Sequence, residues 1–391
     1  MKWEVVNISD VLFFQEGPGV RNTQFTSAGV KLLNVGNINN GEVNLDSTSV
    51  HISQVEAYGK YQHFLVDEGD LLIASSGIVV DNFHNKIAWA KAEHLPLCMN
   101  TSTIRFKSIN NDILDLKYFS YYLKTRHFSN QLRKLITGSA QLNFGPSHLK
   151  QINFPLPPLP IQKRIAEILD AADALRKKDQ ELLKKYDELA QAIFIDMFGD
   201  PVKNEKGWEV AKLSKLITVN AITINPANIS NYNYIGLEHI EKESGIILSM
   251  NNGKVKSNKF LFSNEHILYG KLRPYLNKVA IPNFSGICST DIFPLLPFNK
   301  NFKEFLVSIL RSKHFVNYSN ESAVGANLPR ANKDTILEYQ TILPMESLVI
   351  EYKQKIKKIE DLKKIVNEST FESNTLFDSL INKAFSGELV V

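Results

Sequence analysis

The richest set of groups able to grip a polyanion is Tyr269-Gly270-Lys271-Leu272-Arg273-Pro274-Tyr275-Leu276-Asn277-Lys278-Val279-Ala280, which presents Lys271, Arg273, Tyr275 and Lys278 within eight positions. A guanidinium is a planar fork for guanine or phosphate, an ammonium is a mobile phosphate contact, and a tyrosine offers a stacking face and a hydroxyl. A solvated loop beside a sheet has the same composition, so the residues alone leave nucleic-acid contact as one option of two. The corresponding earlier stretch, Ser75-Ser76-Gly77-Ile78-Val79-Val80-Asp81-Asn82-Phe83-His84-Asn85-Lys86, is far less basic and offers Ser75, Ser76, Asn82 and Lys86. Two glycine-led loops add amides of the kind that pair bidentately with adenine: Gln141 and Asn143 after Gly138, and Asn327 with Arg330 after Gly325. Such loops also serve simply as turns.

Catalytic spacing is missing around these groups. Gly270-Lys271 is followed by Leu272-Arg273 and has no upstream phosphate-loop glycine, and Pro157-Pro158 is flanked by leucines rather than by the Asn/Asp and aromatic residue that methyl transfer would use. The nine histidines form no His-x-x-x-His, and no acidic nuclease cluster is evident. His127 and His314 recur at equivalent helix ends, which suits a structural role. Cys98 and Cys288, 190 positions apart, read as buried thiols in a reducing, cytoplasmic setting rather than as nucleophiles, zinc ligands or a disulfide. The expectation is a chain with no catalytic site, metal or cofactor of its own.

The elements that must position the binding groups are mixed. Asp67-Glu68-Gly69-Asp70-Leu71-Leu72-Ile73-Ala74 and Lys86-Ile87-Ala88-Trp89-Ala90 read as short strands, and Tyr118 to Leu135 has helical spacing. Phe154-Pro155-Leu156-Pro157-Pro158-Leu159-Pro160 must be extended, because four prolines fix φ and remove donors. Beyond it, apolar residues at Ile161, Ile165, Ile168, Ala172, Leu175, Leu182, Tyr186, Leu189 and Ile193 step by four and three, broken at Asp179, which predicts a coiled-coil helix ending near Phe198 before Gly199-Asp200-Pro201. Some 37 residues would span roughly 55 Å. A second such helix is expected from Val349 to Phe385, carrying Ile356, Ile359, Leu362, Val366, Leu376, Leu380 and Ala384 around a polar middle from Ser369 to Thr375.

The same plan is written twice. Trp3-Glu4-Val5 returns as Trp208-Glu209-Val210 at an offset of 205, and Leu71-Leu72-Ile73 as Ile267-Leu268-Tyr269 at 196. Leu123-Lys124-Thr125-Arg126-His127-Phe128 matches Leu310-Arg311-Ser312-Lys313-His314-Phe315 at 187, an offset kept from Gly138 to Gly325, Pro157 to Pro344 and Phe198 to Phe385. This predicts an α+β chain in four parts: a domain over 1–157, a helix over 158–200, a domain over 201–345 and a helix over 346–391. The simplest burial for two equivalent stripes is an antiparallel coiled coil with pseudo-two-fold symmetry, one domain at each end.

With 391 residues, 43% hydrophobic and 22% charged, the chain is long enough for two or three cores and far from a disordered composition. Its net charge of +4 requires any nucleic acid to be held by a local patch. Residues 1–200 hold 21 basic and 22 acidic side chains against 24 and 19 in the remainder, a mild asymmetry of −1 and +5. No window approaches the roughly 18 uncharged apolar residues of a membrane span.

In its ordered duplication the chain resembles the DNA specificity subunit, HsdS, of type I restriction-modification enzymes. The resemblance is carried by Trp-Glu opening each unit, Gly69-Asp70-Leu71-Leu72, Lys271-Leu272-Arg273-Pro274-Tyr275-Leu276, the glycine-led loop before each helix, and Phe154-Pro155-Leu156-Pro157-Pro158-Leu159 followed by Gln162 and Ile165. Glu265-His266 stands where Gly-Asp is expected, and Pro344-Met345-Glu346 departs from the proline-rich helix entry. The resemblance implies two target-recognition domains reading the halves of a bipartite, asymmetric site in double-stranded DNA, with the helices as spacer. It also implies two modification subunits that carry S-adenosylmethionine and restriction subunits that use ATP and Mg. A protein-protein adaptor without DNA is the competing expectation.

Overall fold

The computed structural model describes residues 3–46, 48–78, 80–136, 143–228, 231–248, 255–325 and 327–389. The chain forms two compact units, Met1–Lys178 with Thr370–Val391, and Asp179–Ser369.

In the first unit a four-stranded antiparallel sheet runs in the order Leu12–Glu16, Thr103–Ser108, Leu71–Ala74, Ile87–Trp89. Leu71, Leu72, Ile73 and Ala74 are all buried, which is why the run reads as continuously apolar rather than alternating. A smaller sheet orders His51–Ile52, Val30–Leu33 and Leu97–Met99, with Leu32 and Cys98 opposed in its parallel pair. The second unit repeats both layers. Ile217–Val219, Ile292–Pro297, Ile267–Gly270 and Val279–Ala280 form the same four-strand order, and a second sheet opposes Ile235 to Cys288 in its own parallel pair. Both thiols are fully buried and pushed up to about 12 by desolvation, so they behave as small apolar groups.

The helical stretch expected from Tyr118 to Leu135 is instead two helices, Leu116–Tyr122 and Arg126–Leu135. Thr125 ends the first and caps the second, its hydroxyl accepting the Phe128 N–H at 3.1 Å. Ser312 does the same for Phe315 between Lys303–Arg311 and Lys313–Glu321. The repeated Thr/Ser-x-x-Phe is therefore a cap with a buried aromatic one turn on, and helical spacing survives across it because both helices turn their apolar faces to one core.

Two long helices follow, Leu159–Phe198 and Glu346–Ser386. The first takes in Leu159 and Pro160 of the stretch expected to be extended, because a proline in the first helical turn gives up no intrahelical hydrogen bond. The first stops at Gly199, whose φ of +76° suits glycine. Within the first unit, Ile165, Leu169 and Ala172 share a core with Phe377, Ile381, Ala384 and Phe385 of the second helix and with Tyr118 and Tyr122. Within the second unit, Phe194, Met197 and Phe198 share one with Val349, Tyr352 and Phe305.

The line of contact is rotated from the expected stripe. Leu175 and Leu189, placed on the seam by their spacing, are 53% and 45% exposed, whereas Leu169 is fully buried and Arg176 lays its guanidinium over the Phe377 ring at 4.4 Å. Apolar spacing fixes a broad face, and the neighbours of each helix decide which edge of that face is covered. Polar pairs fill the middle of the line: Arg176 with Asn374 at 2.8 Å in the first unit, and Asp179 with Ser369 at 3.1 Å and Asp187 with Lys363 at 2.9 Å in the second.

Candidate nucleic-acid interface

Strand Ile267–Gly270 delivers the chain to the basic loop, and strand Val279–Ala280 carries it back antiparallel. Gly270 lets the exit pack closely, since an added Cβ would lie 2.8 Å from the end of the Leu237 side chain and 3.1 Å from the Lys278 Cβ. Between the strands, Arg273 and Asn277 adopt φ of +53° and +48° around a 3₁₀ turn over Pro274–Leu276. Non-glycine residues rarely take this conformation, and tertiary hydrogen bonds hold it here: the Arg273 N–H donates to Pro329 O at 2.7 Å, and the Asn277 amide donates to Arg311 O at 3.0 Å.

The first of these bonds joins the basic loop to the glycine-led loop more than 50 residues later. Leu272 bridges Arg330, the Ala331 N–H donates to Lys271 O at 2.9 Å, and Val324 and Arg330 exchange backbone hydrogen bonds at 3.0 and 2.9 Å. Lys271, Arg273, Asn327 and Arg330 are thereby gathered on one edge of the second unit. Their side chains are held differently. The Lys271 ammonium sits 4.8 Å from the centroid of the Phe293 ring, and Arg330 Nε donates to Asp291 Oδ1 at 3.0 Å. Lys278 turns inward and donates to Leu237 O at 2.6 Å. Arg273, Tyr275 and Asn327 are exposed.

The first unit builds the same junction from neutral residues. The Phe144 N–H donates to Ser75 O at 2.9 Å, and Asn143 Oδ1 accepts from Ser76 Oγ at 2.7 Å and from the Gly77 N–H at 2.9 Å. Ser75 is buried, and its contribution is its backbone. Lys86 donates to Ile38 O at 2.9 Å and to Asn39, and burial holds its ammonium below the usual lysine range. The 3₁₀ turn Val80–Lys86 contains Asn82, whose side chain is outside the described part. Gly138 and Gln141 also lie outside the described residues.

Sequence reasoning missed Asp291 and Phe293, which organise Arg330 and Lys271. Their positions before and within strand Ile292–Pro297 carry no local signature, and only the strand pairing brings them to the loop. Among the described residues no group of three or more His, Cys, Asp and Glu is placed to hold a metal, and no helix is long and apolar enough to cross a membrane.

Residues 1–185 match the family described as Type I restriction modification DNA specificity domain. The Type I restriction enzyme EcoDI specificity subunit of Escherichia coli is 28% identical over 190 residues, 46% of this chain and 42% of that protein. The alignment thus spans less than half of that relative. The MjaIX specificity subunit of Methanocaldococcus jannaschii is 26% identical over 364 residues, 83% of this chain and 81% of its own length. These matches make the chain similar to type I specificity subunits. Its fold agrees: the S subunit of a type I restriction-modification system from M. genitalium superposes with a TM-score of 0.55 at 14% identity, over 98% of this chain and 96% of that one.

This likeness gives a context to three residues of the shared pattern. Trp208 Nε1 donates to Phe198 O at 2.8 Å and Trp3 Nε1 to Ala384 O at 3.4 Å, so each unit's opening tryptophan caps the end of a long helix. Gln162, fully buried, accepts the Asp115 N–H at 2.9 Å and donates to Ile113 O at 2.9 Å and Pro157 O at 2.8 Å. It ties the proline-rich entry to the globular part.

Proposed function

We propose that this chain is the DNA-reading subunit of a type I restriction-modification assembly. Each unit presents its paired loops to one half of a bipartite, asymmetric site, and the two long helices set the distance between the halves and dock two modification subunits. S-adenosylmethionine, ATP and Mg then belong to the modification and restriction subunits, and this chain supplies recognition rather than a reacting group.

The observation that carries the reading is the duplicated junction. One sheet topology occurs twice, and each copy knits the loop after its third-ordered strand to the loop before a long helix, with Lys271, Arg273 and Arg330 on one and Ser76 and Asn143 on the other. Equal scaffolds with unequal chemistry suit two half-sites of different sequence. Arg and Lys supply phosphate and guanine contacts, and amides and hydroxyls supply adenine or mixed contacts.

The test is selection from a duplex pool with a randomised centre, using the full chain co-expressed with a type I modification subunit. The expected product is a motif of two short specified blocks separated by unspecified base pairs, with affinity falling steeply as salt rises. A pool that emerges unenriched, with no salt-dependent binding, would overturn the reading and favour the adaptor.

A further inference from the structure

Four cations were expected to contact DNA from the basic loop pair, and the structure separates them. Lys278 is spent on a carbonyl, Lys271 is tethered over Phe293, and among the described residues the Arg273 guanidinium has no partner. Arg330 differs from Arg273 in having its head group fixed as well as its backbone, and from the two lysines in carrying a fork of two terminal nitrogens beyond the atom that is fixed. Its N–H and C=O are bonded to Val324, Leu272 bridges it from the other side, and its neighbour Ala331 bonds to Lys271. The carboxylate that fixes it hangs from a held backbone: Asp291 stands immediately before strand Ile292–Pro297, its carbonyl accepts the Lys271 N–H at 2.9 Å and its own N–H donates to Ser289 Oγ at 3.2 Å.

The bond runs through Nε of Arg330 to Asp291 Oδ1 at 3.0 Å, and the pair is partly open to solvent, with side chains 45% and 28% exposed. An arginine anchored at Nε keeps its two terminal nitrogens as a parallel pair of donors. That pair matches the O6 and N7 acceptors on the major-groove edge of guanine. The anchor also removes rotamer freedom before binding, which is the cost a free arginine meets on contact. A carboxylate beside a DNA-facing loop repels phosphates, so its presence favours a base over a backbone contact at this position.

We infer that Arg330 is a guanine-reading residue of the second unit and that Asp291 is its positioning residue, while Arg273 serves as a phosphate contact. The inference rests on the proposed function and assigns, within that site, which cation reads sequence.

The test repeats the randomised-duplex selection on the full chain with its modification subunit, in parallel with Arg330→Ala, Arg330→Lys, Asp291→Ala, Asp291→Asn and Arg273→Ala. Arg330→Lys keeps the charge and loses the fork, so it is expected to lose a G·C preference at one position by about tenfold to a hundredfold while the rest of the motif and the salt slope persist. Asp291→Ala is expected to relax the same position and to raise affinity for unselected DNA, an outcome that mere loosening of the loop would not give. Asp291→Asn retains the acceptor oxygen and should retain most of the preference. Arg273→Ala should weaken every sequence alike and lower the salt slope by about one. Uniform loss in both Arg330 variants with the motif intact, or lower unselected affinity in Asp291→Ala, would overturn the inference while leaving DNA reading in place. A wild-type chain that enriches nothing would strike down the proposed function itself.

Discussion

At Asp70 the carboxylate accepts the Asp67 N–H at 2.9 Å and lies beside Arg105 and Lys107, at 3.5 and 3.2 Å. At the equivalent turn of the second unit, His266 Nδ1 accepts the Ser263 N–H at 3.0 Å, and the ring meets the Asn220 amide at 3.1 Å. Both side chains secure the turn entering the third-ordered strand by accepting an N–H three residues back. The paired strand explains the difference in chemistry: Arg105 faces Leu72, whereas Pro294 faces Leu268, so that position of the strand offers no cation to balance a carboxylate. Burial holds the His266 imidazole below its usual value, so the folded state takes up its proton less readily than the unfolded chain. Its contribution to stability is thus complete above about pH 6.5 and declines as pH falls through that value toward the depressed folded one. Urea midpoints measured from pH 8 to pH 5 should drop below pH 6.5, and His266→Gln, which keeps an acceptor and does not titrate, should flatten part of that drop. Gln162→Ala leaves the Asp115 N–H and the Ile113 and Pro157 carbonyls without their partner and should lower stability by about 2–4 kcal/mol. Thermal unfolding reads this directly, and an unchanged transition would mean that water replaces the side chain freely.

Among the elements, each long helix is stabilised by aromatic clusters of the globular segment it meets. Phe198 is fully buried, with ring centroids 5.0 Å from Phe305 and 5.1 Å from Tyr352. Phe198→Ala should cost about 3–5 kcal/mol through lost burial and a cavity. Because Phe198 belongs to the second unit's core, hydrogen exchange should rise in Ile217–Val219 and Lys303–Arg311 and stay near wild type in Leu71–Ala74. Uniform acceleration in every strand would show that the two cores unfold as one. The rotated contact line on the helices has a simple origin. Ala172 and Ala384 leave room for close approach, and Tyr118, Tyr122 and Phe385 fill one side of the stripe, so the larger Leu175 is left outside.

For the whole molecule, the continuous helices Leu159–Phe198 and Glu346–Ser386 each contribute residues to both units. On the proposed function their length fixes the gap between half-sites. Inserting four residues near Asp179 and four in the facing part of the second helix adds about 6 Å of helix, or roughly two base pairs. Methylome sequencing of cells carrying the altered chain with its modification subunit should show a longer spacer between unchanged half-sites. A changed half-site sequence would contradict a spacer role.

Periodicity and punctuation in the sequence were enough to place the two long helices, the proline-rich entry, the strands around Leu71 and Ile267 and the duplication itself, because these depend on residues near one another along the chain. The repeated tryptophans stood out for the same reason, as each opens one local environment twice. Tertiary structure alone decided that Tyr118 to Leu135 breaks at a cap, that the helix seam turns away from Leu175, and that Lys86 and Lys278 spend their charge on carbonyls. It also decided that Asp291, unmarked in the sequence, stands beside Arg330. Charge and spacing say which groups a loop carries, whereas which of them stays free depends on acceptors supplied by strands and loops far away in the chain.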